Sequence, residues 1–132
     1  MLDQLEIRVI PPGHRFAAQV RFWVNGEDVV EAAVGAGGRG PYAVDVLFPD
    51  GCGPLHATGE PRRVELGEPE CTGDCCGFLS VVVQRSGDVV QWSDWELPYM
   101  ETTRPLELHF DADEYETELA RAEAGRRWQV HT

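Results

Sequence analysis

The sequence predicts an α+β fold: a mainly antiparallel β-sheet built from hairpins, with one C-terminal amphipathic helix packed on it. Three patterns carry this. Apolar residues alternate through residues 16–24 and along both arms of 78–95, the period of half-buried strands. Short turn signals separate these runs, as hairpins require. The segment FDADEYETELARAEAG then switches to helical periodicity behind a capping sequence. A chain of 132 residues fits a single domain, 1–132, and can bury a core without disulfides or a metal.

The elements follow in order. LEIRVI at 5–10 reads as a strand stopped by Pro11-Pro12-Gly13. Residues 14–24 put Phe16, Ala18, Val20, Phe22 and Val24 on one face, and Asn25-Gly26 signals a turn. A two-residue loop would oppose Glu31 to apolar Val20. A three-residue loop, 25–27, opposes Val24 to Asp28, Phe22 to Val30 and Val20 to Ala32, and sets Arg21 against Glu31. The hydrophobic pattern favours the longer loop. GAGGRG at 35–40 is a flexible break and the best candidate for a mobile loop. Residues 42–48 fit strand or helix, 50–61 are turn-rich, and 62–66 fit a strand. The clearest hairpin joins 78–85 to 89–95 through a Ser86-Gly87 turn, with Arg85 and Asp88 paired across it. Leu79, Val81 and Val83 then share a face with Val90 and Trp92, while Ser80, Gln84, Gln91 and Ser93 face water. A loop at 98–105 leads to a last strand at 106–110. In the helix, Asp111 is the cap, Glu114 completes a capping box, and Phe110 and Tyr115 form a hydrophobic staple. Ala112, Tyr115, Leu119 and Ala122 make the apolar stripe. Acids in the first turns and Arg121, Arg126 and Arg127 at the end suit the helix dipole, and Gly125 is a C-cap. Tyr115, Leu119 and Trp128 are expected against the sheet, with Phe22, Val81, Val83 and Trp92 in the core.

Charge narrows the function. The net charge is −12, and all 11 basic residues are Arg, a coding bias of a GC-rich genome. Such acidity argues against DNA, RNA and anionic membranes, which select basic surfaces. It suits a basic protein partner through electrostatic steering. No apolar run approaches the ~20 residues that span a bilayer. The start, MLDQLEIRVIPPG, is acidic where a signal peptide is basic, so the expected compartment is the cytoplasm, where thiols stay reduced.

The stretch ECTGDCCGFLSVVVQ is the main chemical signal. Cys71, Cys75 and Cys76 occupy a turn that leads into a strand, and Cys52 with His56 lies upstream. A tetrahedral zinc site could draw on Cys52, His56, Cys71 and one of Cys75 or Cys76, because zinc needs thiolates at ~2.3 Å and tight turns bring two sulfurs together. The more diagnostic pair of CxxC motifs is absent. Competing readings are four free, partly buried thiols, a Cys71–Cys76 disulfide, which a reducing cytosol disfavours, and a Cys75–Cys76 redox pair, which closes only a strained ring. No histidine among His14, His56, His109 and His131 is aimed at a thiol by sequence, so a catalytic cysteine is disfavoured. Elsewhere, Asp94, Glu96 and Glu101 near Trp92, Trp95 and Tyr99 could line a pocket for acid–base chemistry or a sugar, although exposed acids on a hairpin end are the usual case. Asp111, Asp113 and Glu114 suggest a cation, but helix capping explains them. GAGGRG lacks the Lys and Ser/Thr of a P-loop.

CTGDCCGFLSVVVQ, GDVVQWSDW and LELHFDADEYETEL together resemble a loose group of small uncharacterised bacterial proteins, frequent in actinobacteria, with a C-x4-C turn, a V-x-W strand and an F-D-x-x-x-Y helix. Cys71, Cys76, Val90, Trp92, Trp95, Phe110, Asp111 and Tyr115 match those positions, over roughly residues 62–119. Many relatives carry a cysteine where Pro69 stands here, and Cys75 is extra. The resemblance implies the fold and no activity. Three functions are therefore expected in turn. The first is a non-enzymatic interaction factor of the immunity or antitoxin kind, facing a basic partner. The second is a zinc-stabilised or thiol-sensing domain centred on Cys71 and Cys76. The third is a small enzyme or ligand-binding module using the Trp92/Trp95 region.

Overall fold

The computed structural model describes residues 2–10, 17–34, 38–47, 53–69, 77–97 and 107–124. The four cysteines, Tyr99, Glu101, Gly125 and Trp128 lie outside them. The element order is β1 (Leu5–Ile10), β2 (Gln19–Val24), β3 (Glu27–Asp28), α1 (Val29–Val34), α2 (Ala43–Val46), β4 (Arg62–Gly67), β5 (Leu79–Ser86), β6 (Val89–Glu96), β7 (Leu108–Asp111) and α3 (Ala112–Ala124). The fold is α+β, as expected. Its strands divide between two antiparallel sheets, a three-stranded β1-β2-β3 and a four-stranded β4-β5-β6-β7.

The first hairpin corrects the expected register. Val24 pairs with Glu27 and Trp23 with Asp28, so the loop is the two residues Asn25-Gly26. Both have positive φ, 53° and 85°, which is what a type I′ turn demands. The feared pairing of Glu31 with Val20 never arises, because β3 stops after Asp28. There the chain turns into α1, and the Asp28 carboxylate accepts the Val30 and Glu31 N–H groups at 3.0 and 3.1 Å as an N-cap. A helical period, with Val30 and Val34 buried, took over from the strand period.

The second hairpin turns one residue later than expected. Ser86 pairs with Val89, leaving Gly87-Asp88 as the loop, with Gly87 at φ 61°. Arg85 faces Val90, and its Nε donates to the Gly87 carbonyl instead of pairing with Asp88. At the far end β6 bulges: Ser93 pairs with Val82 but Glu96 with Ser80. Asp94, at φ 50°, absorbs the extra residue. On a regular strand Trp92 and Trp95 would face opposite ways. The bulge turns Asp94 out and brings both indoles inside, at 0% and 3% exposure. Ser80, expected in water, is buried, and Arg63 Nη1 donates to its Oγ at 2.9 Å.

Residues 38–40 of the GAGGRG stretch are held in place and correct the mobile-loop expectation there; residues 35–37 lie outside the described residues. Arg39 and Glu68 exchange two backbone hydrogen bonds at 2.8 Å, and the Val20 N–H donates to the Pro41 carbonyl at 2.8 Å. The segment thus ties β2 to the end of β4. A Cβ on Gly40 would run into the Val20 carbonyl oxygen.

One hydrophobic core draws on both sheets and all three helices. At its centre Trp92 meets Phe22 of the other sheet edge to face at 5.9 Å, and Phe110, Tyr115 and Trp95 at 5.2, 6.4 and 6.2 Å. In α3, Ala112, Tyr115, Leu119 and Ala122 are buried, as the stripe predicts. Asp111 accepts the Glu114 N–H at 3.0 Å, one half of the capping box. The other half is not made, for Glu114 reaches Gln4 instead. Near the N-terminus Asp3 forms a parallel bridge to Phe110, so β1 continues toward β7. Farther along β1, the Ile7 N–H donates to Glu118 at 2.7 Å and the Ile7 carbonyl accepts from Arg121 at 2.7 Å. Side chains of α3 therefore satisfy the outer edge of β1, with which no strand pairs among the described residues.

Candidate functional site

His56 is the one residue of the expected metal set among the described residues; Cys52, Cys71, Cys75 and Cys76 lie outside them. It stands on a turn in which its own N–H donates to the Gly53 carbonyl at 3.2 Å. Leu55 is buried beneath that turn at 1% exposure. Two contacts pin the turn to α3. The Tyr115 hydroxyl donates to the Leu55 carbonyl at 2.6 Å while accepting from Trp92 Nε1 at 3.4 Å. The His56 ring lies between two carboxylates, with Nδ1 3.0 Å from Glu116 and Nε2 3.0 Å from Glu123. Glu116 and Glu123 are seven residues apart, two helical turns, and so border the same apolar stripe. Glu123 is 6% exposed, so His56 supplies a polar partner to a carboxylate taken out of water.

This geometry has chemical consequences. Both ring nitrogens face carboxylates, and both contacts are hydrogen bonds at once only when both nitrogens carry protons. Neither is left to activate a nucleophile. The two carboxylates meet opposite edges of the ring and do not converge on a point. Among the described residues no three His, Cys, Asp or Glu side chains are placed to hold a metal. For His56 to join cysteines around zinc, one carboxylate would have to let go. The Tyr115 phenol is fully enclosed, and burial pushes its pKa well above the ordinary value, so it serves as a neutral donor.

The remaining expected sites resolve as follows. Trp92 and Trp95 are core residues, and Tyr99 and Glu101 of the expected pocket lie outside the described residues. The bulge moves Trp95 inward and leaves Asp94 and Glu96 outside, where both pair with Arg63. Asp111 caps α3.

Two hollows matter for binding. One, of about 370 Å³, has Tyr42, Pro54, Arg63, Glu68 and Phe78 in its wall. Pro54, Glu68 and Phe78 stand two, three and two positions from Cys52, Cys71 and Cys76 in the sequence. The other, of about 350 Å³, lies between the start of β1 and the first turns of α3. Asp3, Asp113, Glu114 and Glu118 line it, and no basic residue does among the described residues. The His109 N–H holds the Asp3 carboxyl below its ordinary pKa, with a smaller contribution from Asn25 and against a burial penalty. Burial acts on Glu118 the other way, but the Arg121 and Ile7 hydrogen bonds and the Arg121 charge overcome it and lower its pKa too. Both carboxylates are thus held ionised beside exposed Asp113 and Glu114.

Reading the sequence missed Glu116 and Glu123 as partners of His56. Their shared helix face was legible from the seven-residue spacing, but the turn that meets it was not. Comparison with protein-family models, with curated proteins and with solved structures returned no match.

Proposed function

We propose that the protein is a small acidic interaction factor, of the immunity or antitoxin kind, that engages a basic protein and catalyses nothing itself. The observation that carries this is the groove of Asp3, Asp113, Glu114 and Glu118, in which Glu118 is paired with Arg121 and no basic residue stands among the described residues of the wall. A net charge of −12 adds long-range attraction for a cationic surface. The test is affinity purification from the native cells at low and high salt, beside the double variant Asp113→Asn/Glu114→Gln. A basic protein is expected at low salt, released at high salt and not recovered with the variant. A partner that is acidic, or that the variant retains equally well, would overturn the reading.

A second reading has its own support. Pro54, Glu68 and Phe78, the described neighbours of both cysteine segments, line one hollow, which suits a zinc or thiol-sensing site built from Cys71 and Cys76 with Cys52. Elemental analysis and thiol titration of the reduced protein test it. About one zinc per chain, with thiols masked until a chelator is added, is the expected result. Four thiols titrating without metal would end it.

A further inference from the structure

The outer face of the β1–β2 pair carries a constellation that the acidity of the chain hides. In the β1–β2 register Arg8 stands directly opposite Arg21. Like charges in that position repel, and strand pairs usually avoid them. Arg39 joins them at the rim of a shallow hollow of about 450 Å³, whose wall also includes Gln19, Trp23 and Asp28. The Arg8 guanidinium lies 3.9 Å from the centre of the Trp23 ring, a cation–π contact that presets its plane. Arg21 is largely buried and anchored to the Gly38 carbonyl at 3.2 Å.

The acids nearby leave room for a ligand. Glu6 holds the Arg8 fork at both ends, Nε at 2.8 Å and Nη2 at 3.3 Å, but both side chains are about half exposed, at 53% and 48%, so an incoming anion can reach the guanidinium and compete for it. Asp28 reaches Arg21 only at 3.5 Å, the limit of a hydrogen bond, and its other oxygen caps α1. Arg39 keeps a closer bond to Glu68 at 2.9 Å. Two guanidinium forks thus face one hollow across a strand pair, Arg8 held by a half-exposed glutamate and Arg21 by a stretched contact to Asp28, and an anion binding there competes with those two carboxylates. Planar forks of this kind match the oxygens of phosphate and carboxylate groups.

We propose that this face binds the oxyanion group of a small molecule, phosphate or carboxylate, between Arg8 and Arg21, with Arg39 at the rim. The protein's overall negative charge disfavours non-specific anion uptake, so binding here reads the local geometry.

The experiment titrates the full chain with inorganic pyrophosphate and, separately, with tricarballylate, following the arginine Nε–H signals by NMR. Saturable shifts of Arg8 and Arg21 with at least one probe are expected, and the probe that binds names the oxyanion. Arg8→Gln and Arg21→Gln should each weaken binding at least about tenfold, the scale of a lost charge-assisted bond. Arg62→Gln, an exposed arginine on β4 outside the hollow, should leave binding unchanged. Arg8→Lys, which keeps the charge and loses the fork, should fall between, and it serves if Arg21→Gln does not fold. No saturable shift with either probe up to about 10 mM, where binding weaker than ~3 kcal/mol is lost to view, overturns the proposal. So does binding that the Arg8 variants leave intact, or that Arg62→Gln weakens as much.

Discussion

Tyr115 uses a single hydroxyl twice, donating to the Leu55 carbonyl and accepting from the Trp92 indole, in a fully enclosed place. Removing that oxygen orphans two buried polar groups at once. Tyr115→Phe is therefore expected to lower stability by about 1–3 kcal/mol, read as a shift in the urea midpoint. His56→Ala leaves Glu123 buried without its imidazole, and a loss of about 2 kcal/mol is expected by the same measurement. Glu116→Gln should cost less, because Glu116 keeps access to water. At this scale the sequence was informative about burial and silent about partners. The staple of Phe110 and Tyr115 could be read from spacing alone, and their rings meet at 5.7 Å. The bond from Tyr115 to Leu55 joins residues sixty apart, and nothing local announces it.

Among the elements, local signals and patterns competed, and the nearer signal won. Asn25-Gly26 dictated a two-residue loop because both residues adopt the left-handed backbone that few others tolerate. The apolar pattern argued for a longer loop only on the assumption that a strand continued past Asp28. A capping aspartate followed by Val29, Val30, Ala33 and Val34 was the legible sign that it did not. Two glycines separate the forces at work. Gly26 has positive φ and open space around it, so Gly26→Ala should cost about 1 kcal/mol for backbone strain alone. Gly40 meets the Val20 backbone, so Gly40→Ala should cost at least about 3 kcal/mol, and thermal unfolding of the pair measures the difference. The contact of α3 with β1 has a pH signature. The carboxyl of Glu118 has a lower pKa folded than unfolded, so its contribution is present above the ordinary glutamate value of about 4.3 and fades as pH falls through the lower folded value. Glu118→Gln should flatten the acid side of a stability–pH curve in that window and leave its slope at neutral pH unchanged.

Across the whole molecule, the two sheets share one centre. Phe22 from one packs edge to face on Trp92 from the other, and Tyr115 of α3 closes the same cluster. The parts should therefore unfold together, with indole fluorescence and backbone circular dichroism changing at the same denaturant concentration. Phe22→Ala should lower that common midpoint by about 3–5 kcal/mol without splitting it. The α+β class was legible because alternation and helical period each held over many residues. The division into two sheets was not, since it depends on which strands pair across long stretches of chain, and no local signal announces that pairing. The candidate site was legible only in part: His56 was singled out, but for cysteines rather than for the two glutamates it meets.

On the edge of β1 away from β2, the N–H and carbonyl of Ile7 are held by two side chains of a helix. A strand held in this way stays able to accept a different neighbour. Should α3 loosen, an alternating run of leucine, isoleucine and valine would lie open along its length, ready to template the same segment of a second molecule. Glu118 and Arg121 thus act as gatekeepers of solubility as well as of folding, and the cost of losing them would appear first as aggregation on storage.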